Sequence, residues 1–258
     1  MRNKKFVIIT VALCAVIMAV SLAGCSFSDR EAGILTPQFS GDTSSGALVA
    51  ANNMPACLRI FCEMGATTYA GSGFYITDDG YAITNAHVVG DSLDADVTVE
   101  DANGYQAKAK VVYLSEEIDI AVLKVTVYAK QSYVTFASSS DINELYPGDD
   151  VYFIGNPANM GLSLGKATVS ALDRFMKNSD NPAGGITAVA LDGNVNHGNS
   201  GGPVFNKNGY AVAVIYARME NNTASVGQAE DIYGMGCAVP SDTVTQFLTA
   251  CNISFTMR

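Results

Sequence analysis

Short runs of apolar or alternating residues, each bounded by turn residues, recur along most of this chain from about residue 47 onward. Alternation with a period of two places successive side chains on opposite faces of a strand. Asp-Gly and Asn-Gly pairs, which favour the tight turns of β-hairpins, stand at residues 79–80, 103–104 and 208–209. Many short strands at this spacing are typical of barrels or sandwiches and not of a parallel α/β sheet. The sequence therefore predicts an all-β fold.

The pattern supports one helix, close to the C-terminal end of the sequence. Val244, Phe247, Leu248 and Cys251 recur at the spacing of a single helical face. Ser241 precedes them, at a position where its hydroxyl can cap the first turn. We therefore expect a short helix there, with one apolar face.

The balance of charges argues against a nucleic-acid partner. The chain carries 25 Asp and Glu against 15 Lys and Arg, and an acidic surface repels phosphate backbones. Only 2 histidines are present, which leaves little room for a His-rich metal site. No motif implies an organic cofactor, so we expect neither a metal nor a cofactor. The folded part holds four cysteines, which allow two disulfides or four free thiols: Cys57, Cys62, Cys237 and Cys251.

The first 24 residues have the features of a signal peptide. A basic start with Arg2, Lys4 and Lys5 precedes an apolar run from Phe6 to Val20, which is short for a membrane-spanning helix. The run ends in Leu22-Ala23-Gly24-Cys25, which resembles the bacterial lipobox. The resemblance implies cleavage before Cys25 and attachment of lipid to its sulfur. An ordinary secretory signal, or a simple membrane anchor with an incidental cysteine, is the alternative.

Three regions follow from these features. We expect a lipoprotein signal peptide at residues 1–24, a lipidated flexible tether rich in Ser, Gly, Asp and Thr at residues 25–46, and one folded domain at residues 47–258. The lipid would hold the domain on the outer face of the bacterial cytoplasmic membrane, or on the envelope side in a Gram-negative cell.

Ser200 is the first candidate for chemistry, because it stands in the glycine-rich run Gly198-Asn199-Ser200-Gly201-Gly202-Pro203. Glycine permits backbone angles that turn successive amides the same way, which makes a donor pocket for a tetrahedral oxyanion. A Gly/Ser loop without chemistry is one alternative. The nucleophile elbow of an α/β-hydrolase esterase is another, but a strand and not a helix follows the serine.

His87 and Asp119 complete a possible catalytic set. His87 ends an apolar strand, where a lone histidine is more often a core residue, and Asp119 enters an apolar run, where a carboxylate is costly to bury without a partner. Together with Ser200 they supply a base, an orienting carboxylate and a nucleophile, in the order His, Asp, Ser.

Five motifs, in this order, resemble the HtrA/Deg-type branch of trypsin-like serine proteases: Gly71-Ser72-Gly73-Phe74, Thr84-Asn85-Ala86-His87-Val88-Val89, Asp119-Ile120-Ala121-Val122-Leu123-Lys124, Gly155-Asn156-Pro157 and Gly198-Asn199-Ser200-Gly201-Gly202-Pro203. The similarity runs from about Pro55 to Val244. It implies two six-stranded antiparallel β-barrels with the active site between them, where His87 and Asp119 come from the first barrel and Ser200 from the second.

The resemblance also implies a mechanism and a function. His87 acts as general base towards Ser200, Asp119 orients the imidazole, and the backbone amides of Gly198 and Ser200 hold the oxyanion, with Asn199 shaping that oxyanion-hole loop. The expected function is a serine endopeptidase that cleaves exported or misfolded proteins at the cell envelope. A catalytically latent or inactive protease-fold binding module is the alternative.

The resemblance also indicates, by position, which residues set the substrate preference. The primary specificity pocket should be lined by Asn194 and by the strand residues Ile215, Tyr216 and Ala217. No Asp occupies the pocket-base position that the resemblance suggests, so we expect cleavage after small or medium apolar residues of the substrate and not after Lys or Arg. Residues 219–231 are polar and predict a mobile loop beside the pocket.

Two departures from the family accompany the resemblance. Where the family often has Arg, this chain has His197. We interpret His197 as an ordinary loop residue in preference to a pH-sensitive contact near the oxyanion loop. The family usually carries PDZ domains after the protease domain, and this sequence ends at Arg258. Gating by a PDZ domain of the same chain is therefore not expected, and the oligomeric state stays open.

Overall fold

The computed structural model describes residues 44–65, 67–143, 145–177, 185–221 and 230–258 of the chain. The predicted signal peptide, the lipid attachment at Cys25 and nearly all of the predicted tether lie outside these residues. Within these ranges, no helix has the length and apolar character needed to cross a membrane.

The first barrel contains six strands, which are Cys57–Met64 (β1), Thr67–Tyr75 (β2), Tyr81–Thr84 (β3), Asp96–Asp101 (β4), Gln106–Ser115 (β5) and Ile120–Val125 (β6). They close antiparallel in the order β1-β2-β3-β6-β5-β4. Alternation explains the barrel interior, since Val97 and Val99 of β4 are buried and their neighbours along the strand are more exposed. Gly104 in the turn after β4 has a φ of 82°, a conformation that glycine adopts without steric cost.

Six further strands form the second barrel, and two short strands lie beside it. The eight are Thr135–Phe136 (β7), Asp150–Gly155 (β8), Ser163–Lys177 (β9), Gly185–Asp192 (β10), Pro203–Phe205 (β11), Ala211–Asn221 (β12), Glu230–Pro240 (β13) and Thr256–Met257 (β14). The ring β11-β8-β9-β10-β13-β12 closes because β11 pairs with both β8 and β12. β7 pairs in parallel with β12 and with β14. The prediction of an all-β fold with two six-stranded antiparallel barrels is confirmed.

The part of the chain that the structure describes also contains three α-helices and three single 3₁₀ turns: Ser45–Asn53 (α1), Ser139–Asn143 (α2), Ser241–Ala250 (α3), and the 3₁₀ turns Met54–Ala56, His87–Val89 and Pro157–Asn159. α3 confirms the predicted C-terminal helix, with Val244 and Leu248 buried on its apolar face. The predicted cap is wrong. Pro240 occupies the N-cap position, and the Ser241 hydroxyl is buried without a hydrogen-bond partner among the described residues.

α1 was not predicted, because its small residues give no clear apolar stripe. A local signal does exist, since the Ser44 side chain accepts a hydrogen bond from the Ala47 amide at 3.3 Å and caps the helix. The helix packs on the second barrel, where a Cβ on Gly46 would come within 2.8 Å of the Tyr152 ring. The boundary predicted between tether and domain, at residues 46 and 47, therefore falls inside α1.

The loop predicted over residues 219–231 is shorter at both ends than expected. β12 continues to Asn221 and β13 begins at Glu230, with Glu220 paired to Asp231. Residues 222–229 lie outside the described residues. Pairing between strands uses backbone hydrogen bonds, which need no apolar face, so the polar composition hid these extensions.

A shared apolar cluster joins the two barrels. The rings of Phe74 in β2 and Phe136 in β7 lie 6.2 Å apart between centroids, and Phe255 meets Phe136 edge-on at 5.8 Å. Ile154 of β8 and Leu248 of α3 belong to the same cluster. Each such side chain contributes roughly 1.5–3 kcal/mol by leaving water. This packing holds the first barrel against the second, and the candidate site lies at their border.

The four cysteines of the described domain are free thiols in the structure. Cys57, Cys62 and Cys237 are buried. Burial raises the pKa of the Cys237 thiol to about 11 and also raises the pKa values of Cys57 and Cys62. These three side chains therefore stay neutral at physiological pH and behave as small apolar core residues.

Candidate active site

The pairing of β3 with β6 brings His87 and Asp119 together. Thr84 at the end of β3 lies opposite Ala121 near the start of β6, so the residues just beyond these strand ends meet at one edge of the barrel. Asp119 Oδ2 lies 2.7 Å from His87 Nδ1, and Asp119 Oδ1 accepts the His87 backbone amide at 2.8 Å. One carboxylate therefore fixes both the backbone and the ring of the histidine.

Asp119 is held in an unusual backbone conformation. Its φ is 53°, in the left-handed region that costs a non-glycine residue roughly 1–2 kcal/mol. Asn85, which is fully buried, donates from Nδ2 to the Asp119 carbonyl oxygen at 2.8 Å. This bond, together with the two that the carboxylate accepts, holds the conformation that aims the carboxylate at His87. Asn85 was not among the predicted site residues, although its position two residues before the histidine was a usable signal.

The electrostatic surroundings favour the protonated form of His87. Burial lowers the pKa of the imidazole, but the hydrogen bond and negative charge of Asp119, with the charge of Asp91, raise it by more. The net result is a His87 pKa above its ordinary value. The site therefore stabilises an imidazolium in contact with Asp119.

Ser200 lies in the loop between β10 and β11 of the second barrel, pressed against the first. Its carbonyl oxygen accepts the Ser72 amide of β2 at 2.8 Å. The next residue, Gly201, has a φ of 84°, and a Cβ there would come within 2.2 Å of the Ser72 oxygen and 3.0 Å of the Asn85 nitrogen. This close approach places the residue after Ser200, which is itself half-buried, against the backbone of Ser72 and of Asn85, two residues before His87.

The position of Gly198 has no room for a side chain. Its φ is 92°, and a Cβ at this position would lie 2.2 Å from the Asn156 carbonyl oxygen. Asn199 is buried, and its amide donates to the Asn196 carbonyl oxygen at 3.1 Å. Because that amide is engaged inside the loop, Asn199 shapes the loop, while the amides on either side of it belong to Gly198 and Ser200.

The four residues expected to line a specificity pocket have different surroundings. Asn194 is exposed after β10, and Tyr216 is half-buried in β12. The Ile215 side chain is fully buried in the second barrel, so only its backbone can border a cleft. Ala217 pairs with Cys237 across β12 and β13.

Val195 was not predicted as a site residue. It is 3% exposed and packs on Gly236 of β13, where a Cβ would come within 2.4 Å of Val195 Cγ2. Val195 therefore fills the space between the segment that precedes Ser200 and the strand β13. No sequence signal pointed to this contact, because it depends on the register of β10 against β13.

His197 is exposed, and its carbonyl oxygen accepts the Ala158 amide at 2.8 Å. Its backbone thus ties the serine loop to the 3₁₀ turn Pro157–Asn159. Across the described ranges, no group of three or more His, Cys, Asp or Glu side chains is placed to hold a metal ion.

Comparison with known proteins identifies the family. Residues 71–214, more than half of the chain, match the model of the trypsin-like peptidase domain. A probable periplasmic serine endoprotease DegP-like from Bartonella henselae is 38% identical over 178 residues, which cover 68% of this chain and 32% of that protein. Serine protease HTRA1A from Danio rerio is 32% identical over 194 residues, covering 73% of this chain and 36% of that protein.

A solved structure agrees with these sequences. The serine endoprotease from Yersinia pestis matches with a TM-score of 0.65 and 26% identity, over 82% of this chain and 67% of that one. The chain spans about a third of the length of the curated relatives it matches. The resemblance seen in the motifs is confirmed, and the chain belongs to the trypsin-like peptidase family, with DegP- and HtrA-type serine endoproteases among its homologues.

Proposed function

We propose that this protein is a serine endopeptidase in which His87, Asp119 and Ser200 form the catalytic triad. The observation that carries the proposal is the double hold of Asp119 on His87, at 2.7 Å to the ring and 2.8 Å to the backbone amide. A general base must present one defined nitrogen to its nucleophile, and this double hold supplies that orientation.

The first step is attack by Ser200. With Nδ1–H donating to Asp119, the other ring nitrogen of His87, Nε2, is unprotonated and can accept the Ser200 hydroxyl proton. The Ser200 oxygen forms a bond to the peptide carbonyl carbon as the carbonyl electron pair moves to its oxygen. Asp119 stabilises the imidazolium that results, in line with the raised pKa of His87.

The second part of the reaction uses the serine loop. The amides of Gly198 and Ser200 bind the oxyanion, and His87 then delivers its proton to the leaving nitrogen as the peptide bond breaks. Water attacks the acyl group on Ser200 by the same route, with His87 again taking and returning the proton. The released carboxylic acid and the free serine complete the cycle without a cofactor.

The proposed substrates are exported or misfolded proteins, cleaved after small or medium apolar residues. We assign Val195 to the floor of the proposed pocket, because it is buried, packs on Gly236 and lies five residues before Ser200 in the same loop. The relatives named periplasmic endoproteases support a location in the cell envelope.

Lipid attachment at Cys25 would keep the domain at the membrane. Replacing Cys25 by Ser should then release the protein from the membrane fraction. A variant that stays there would remove the lipid anchor from the proposal.

The test of the triad is labelling of the full-length chain, extracted in mild detergent, with a fluorophosphonate probe that reacts with activated serines. We expect the wild type and Ser132→Ala, which removes an exposed serine before β7, to label equally. Ser200→Ala should not label. A folded wild type that does not label would reduce the claim to a protease fold used for binding.

A further inference from the structure

Ser72 of β2 sits at the centre of a set of hydrogen bonds between the barrels. It is fully buried, and its hydroxyl donates to the Gly198 carbonyl oxygen at 2.6 Å and accepts the Asn156 amide at 2.8 Å. Its backbone amide donates to the Ser200 carbonyl oxygen at 2.8 Å, and its carbonyl oxygen accepts the Thr84 hydroxyl at 2.6 Å. One residue of the first barrel thus holds two carbonyl groups of the serine loop.

These bonds fix alternate peptide planes of the loop. Because a peptide group is planar, holding its carbonyl oxygen also sets the direction of its N–H. Ser72 holds the planes that follow Gly198 and Ser200. The plane between His197 and Gly198 carries the Gly198 amide, and the plane between Asn199 and Ser200 carries the Ser200 amide.

Those amide planes are held from the second barrel. The His197 carbonyl oxygen accepts the Ala158 amide at 2.8 Å, which sets the direction of the Gly198 amide. The Asn199 carbonyl oxygen accepts the Gly202 amide at 2.9 Å, which sets the direction of the Ser200 amide. Four consecutive peptide planes are therefore fixed, two of them by Ser72.

The hydroxyl bond matters most because it acts on a glycine. Gly198, at a φ of 92°, has more rotational freedom than any other residue type would have there. Without the bond from Ser72, the peptide between Gly198 and Asn199 loses its attachment to the first barrel, which is the barrel that carries His87. Ser72 would then hold the serine loop only through its backbone amide, at the Ser200 carbonyl oxygen, and the peptide plane beside the Gly198 amide would lose its fixed relation to His87.

We propose that Ser72 is a positioning residue, which acts through Gly198 to hold the oxyanion-binding amides in register with His87. This inference rests on the proposed endopeptidase function and adds a residue to its machinery. Ser72 touches neither the substrate nor the reacting atoms in this proposal. Its effect should therefore fall on the transition state and not on substrate binding.

The experiment compares Ser72→Ala with Thr245→Val in the full-length chain. The Thr245 hydroxyl is also buried and donates to a backbone carbonyl, that of Asp242 at 3.1 Å, but it lies in α3. We expect Ser72→Ala to lower kcat about 10- to 100-fold on a peptide substrate, with KM changed less than about twofold. Its affinity for a peptide boronic acid, which mimics the tetrahedral intermediate, should fall in parallel. Thr245→Val should leave all three quantities near wild type.

A second readout does not depend on activity. Amide hydrogen exchange in the peptide covering residues 196–202 should become faster in Ser72→Ala than in wild type or Thr245→Val. If Ser72→Ala does not fold, Ser72→Cys, which keeps a side chain of similar size with only a weak donor, takes its place.

The outcomes separate the two proposals. An inactive wild type would contradict the endopeptidase function, while the exchange measurement would still decide whether Ser72 holds the loop. An active Ser72 variant with unchanged kcat and unchanged exchange at residues 196–202 would overturn the positioning role.

Discussion

Asp119 binds His87 through both oxygens of one carboxylate, one to the ring nitrogen Nδ1 at 2.7 Å and one to the backbone amide at 2.8 Å. The carboxylate is nearly buried, whereas the imidazole is half exposed, with 48% of its side chain accessible. The histidine is thus fixed from its protected side and open on the other. A general base requires this arrangement, because its ring must be oriented and must also be accessible to the group that gives up the proton.

Replacing Asp119 with Asn tests the orienting role. The amide keeps the size of the carboxylate but can no longer accept from both His87 groups with a negative charge. We expect fluorophosphonate labelling to slow by about 10³- to 10⁴-fold with the fold retained. Glu117→Gln, which neutralises an exposed carboxylate two residues earlier, is the control and should label normally. Equal labelling rates for the two variants would contradict the triad.

The pH dependence of activity should reflect the raised pKa of His87. Only the neutral imidazole can take the serine proton, so kcat/KM should rise with pH through a midpoint above the ordinary histidine value of 6.5. The charge of Asp91 contributes to the upward shift, so Asp91→Asn should move the midpoint down. Asp94→Asn, in the same exposed segment, should not move it. A midpoint below 6.5 in wild type would contradict the electrostatic account.

The same shift has a consequence for stability. A histidine whose pKa is higher in the folded than in the unfolded state stabilises the fold below its unfolded pKa, and this contribution is lost as pH rises through the folded pKa. Urea unfolding of wild type and His87→Gln at about pH 5 and about pH 9, on either side of the ordinary histidine pKa, checks the sign. The stability advantage of wild type over the variant should be larger at the lower pH.

Gly198→Ala separates a steric clash from backbone strain. A Cβ at Gly198 would meet the Asn156 carbonyl oxygen at 2.2 Å, whereas Gly104, at a similar positive φ, has nothing within 4 Å. Gly104→Ala should cost only the left-handed strain of roughly 1–2 kcal/mol. Gly198→Ala should cost more and lower labelling at least about 10²-fold, because the serine loop must move. Chemical unfolding and labelling rates measure both effects, and equal losses in the two variants would argue against the clash.

Val195→Ala tests the depth of the specificity pocket. Removing two methyl groups opens space against Gly236, so cleavage after Leu should gain about 10-fold in kcat/KM relative to cleavage after Ala. Val189→Ala removes a similarly buried valine from β10 of the same barrel. Both variants should lose roughly 1–3 kcal/mol of stability, but only the first should change preference in a peptide library. Strong cleavage after Lys or Arg by wild type would contradict the apolar pocket.

Much of the fold follows from local sequence features. The alternation of Val97 and Val99 and the positive φ of Gly104 are properties of single strands and turns, and each agrees with the structure. The tight loop around Gly198 was likewise visible as a glycine-rich run. α1 was not predicted from local features, because the residues that stabilise it, such as Tyr152 against Gly46, lie about a hundred residues away along the chain.

The sequence by itself determined the β class, the C-terminal helix and the presence of His87, Asp119 and Ser200 in a recognisable order, because periodicity, turn chemistry and motif spacing are read within a few residues. Only the tertiary structure decided that β3 pairs with β6, so that Asp119 meets His87 across 32 positions of sequence. It also decided that Ser72 holds Gly198 across 126 positions. Such meetings depend on strand register and on the packing of one barrel against the other, and these are set by the whole core at once and by no single segment.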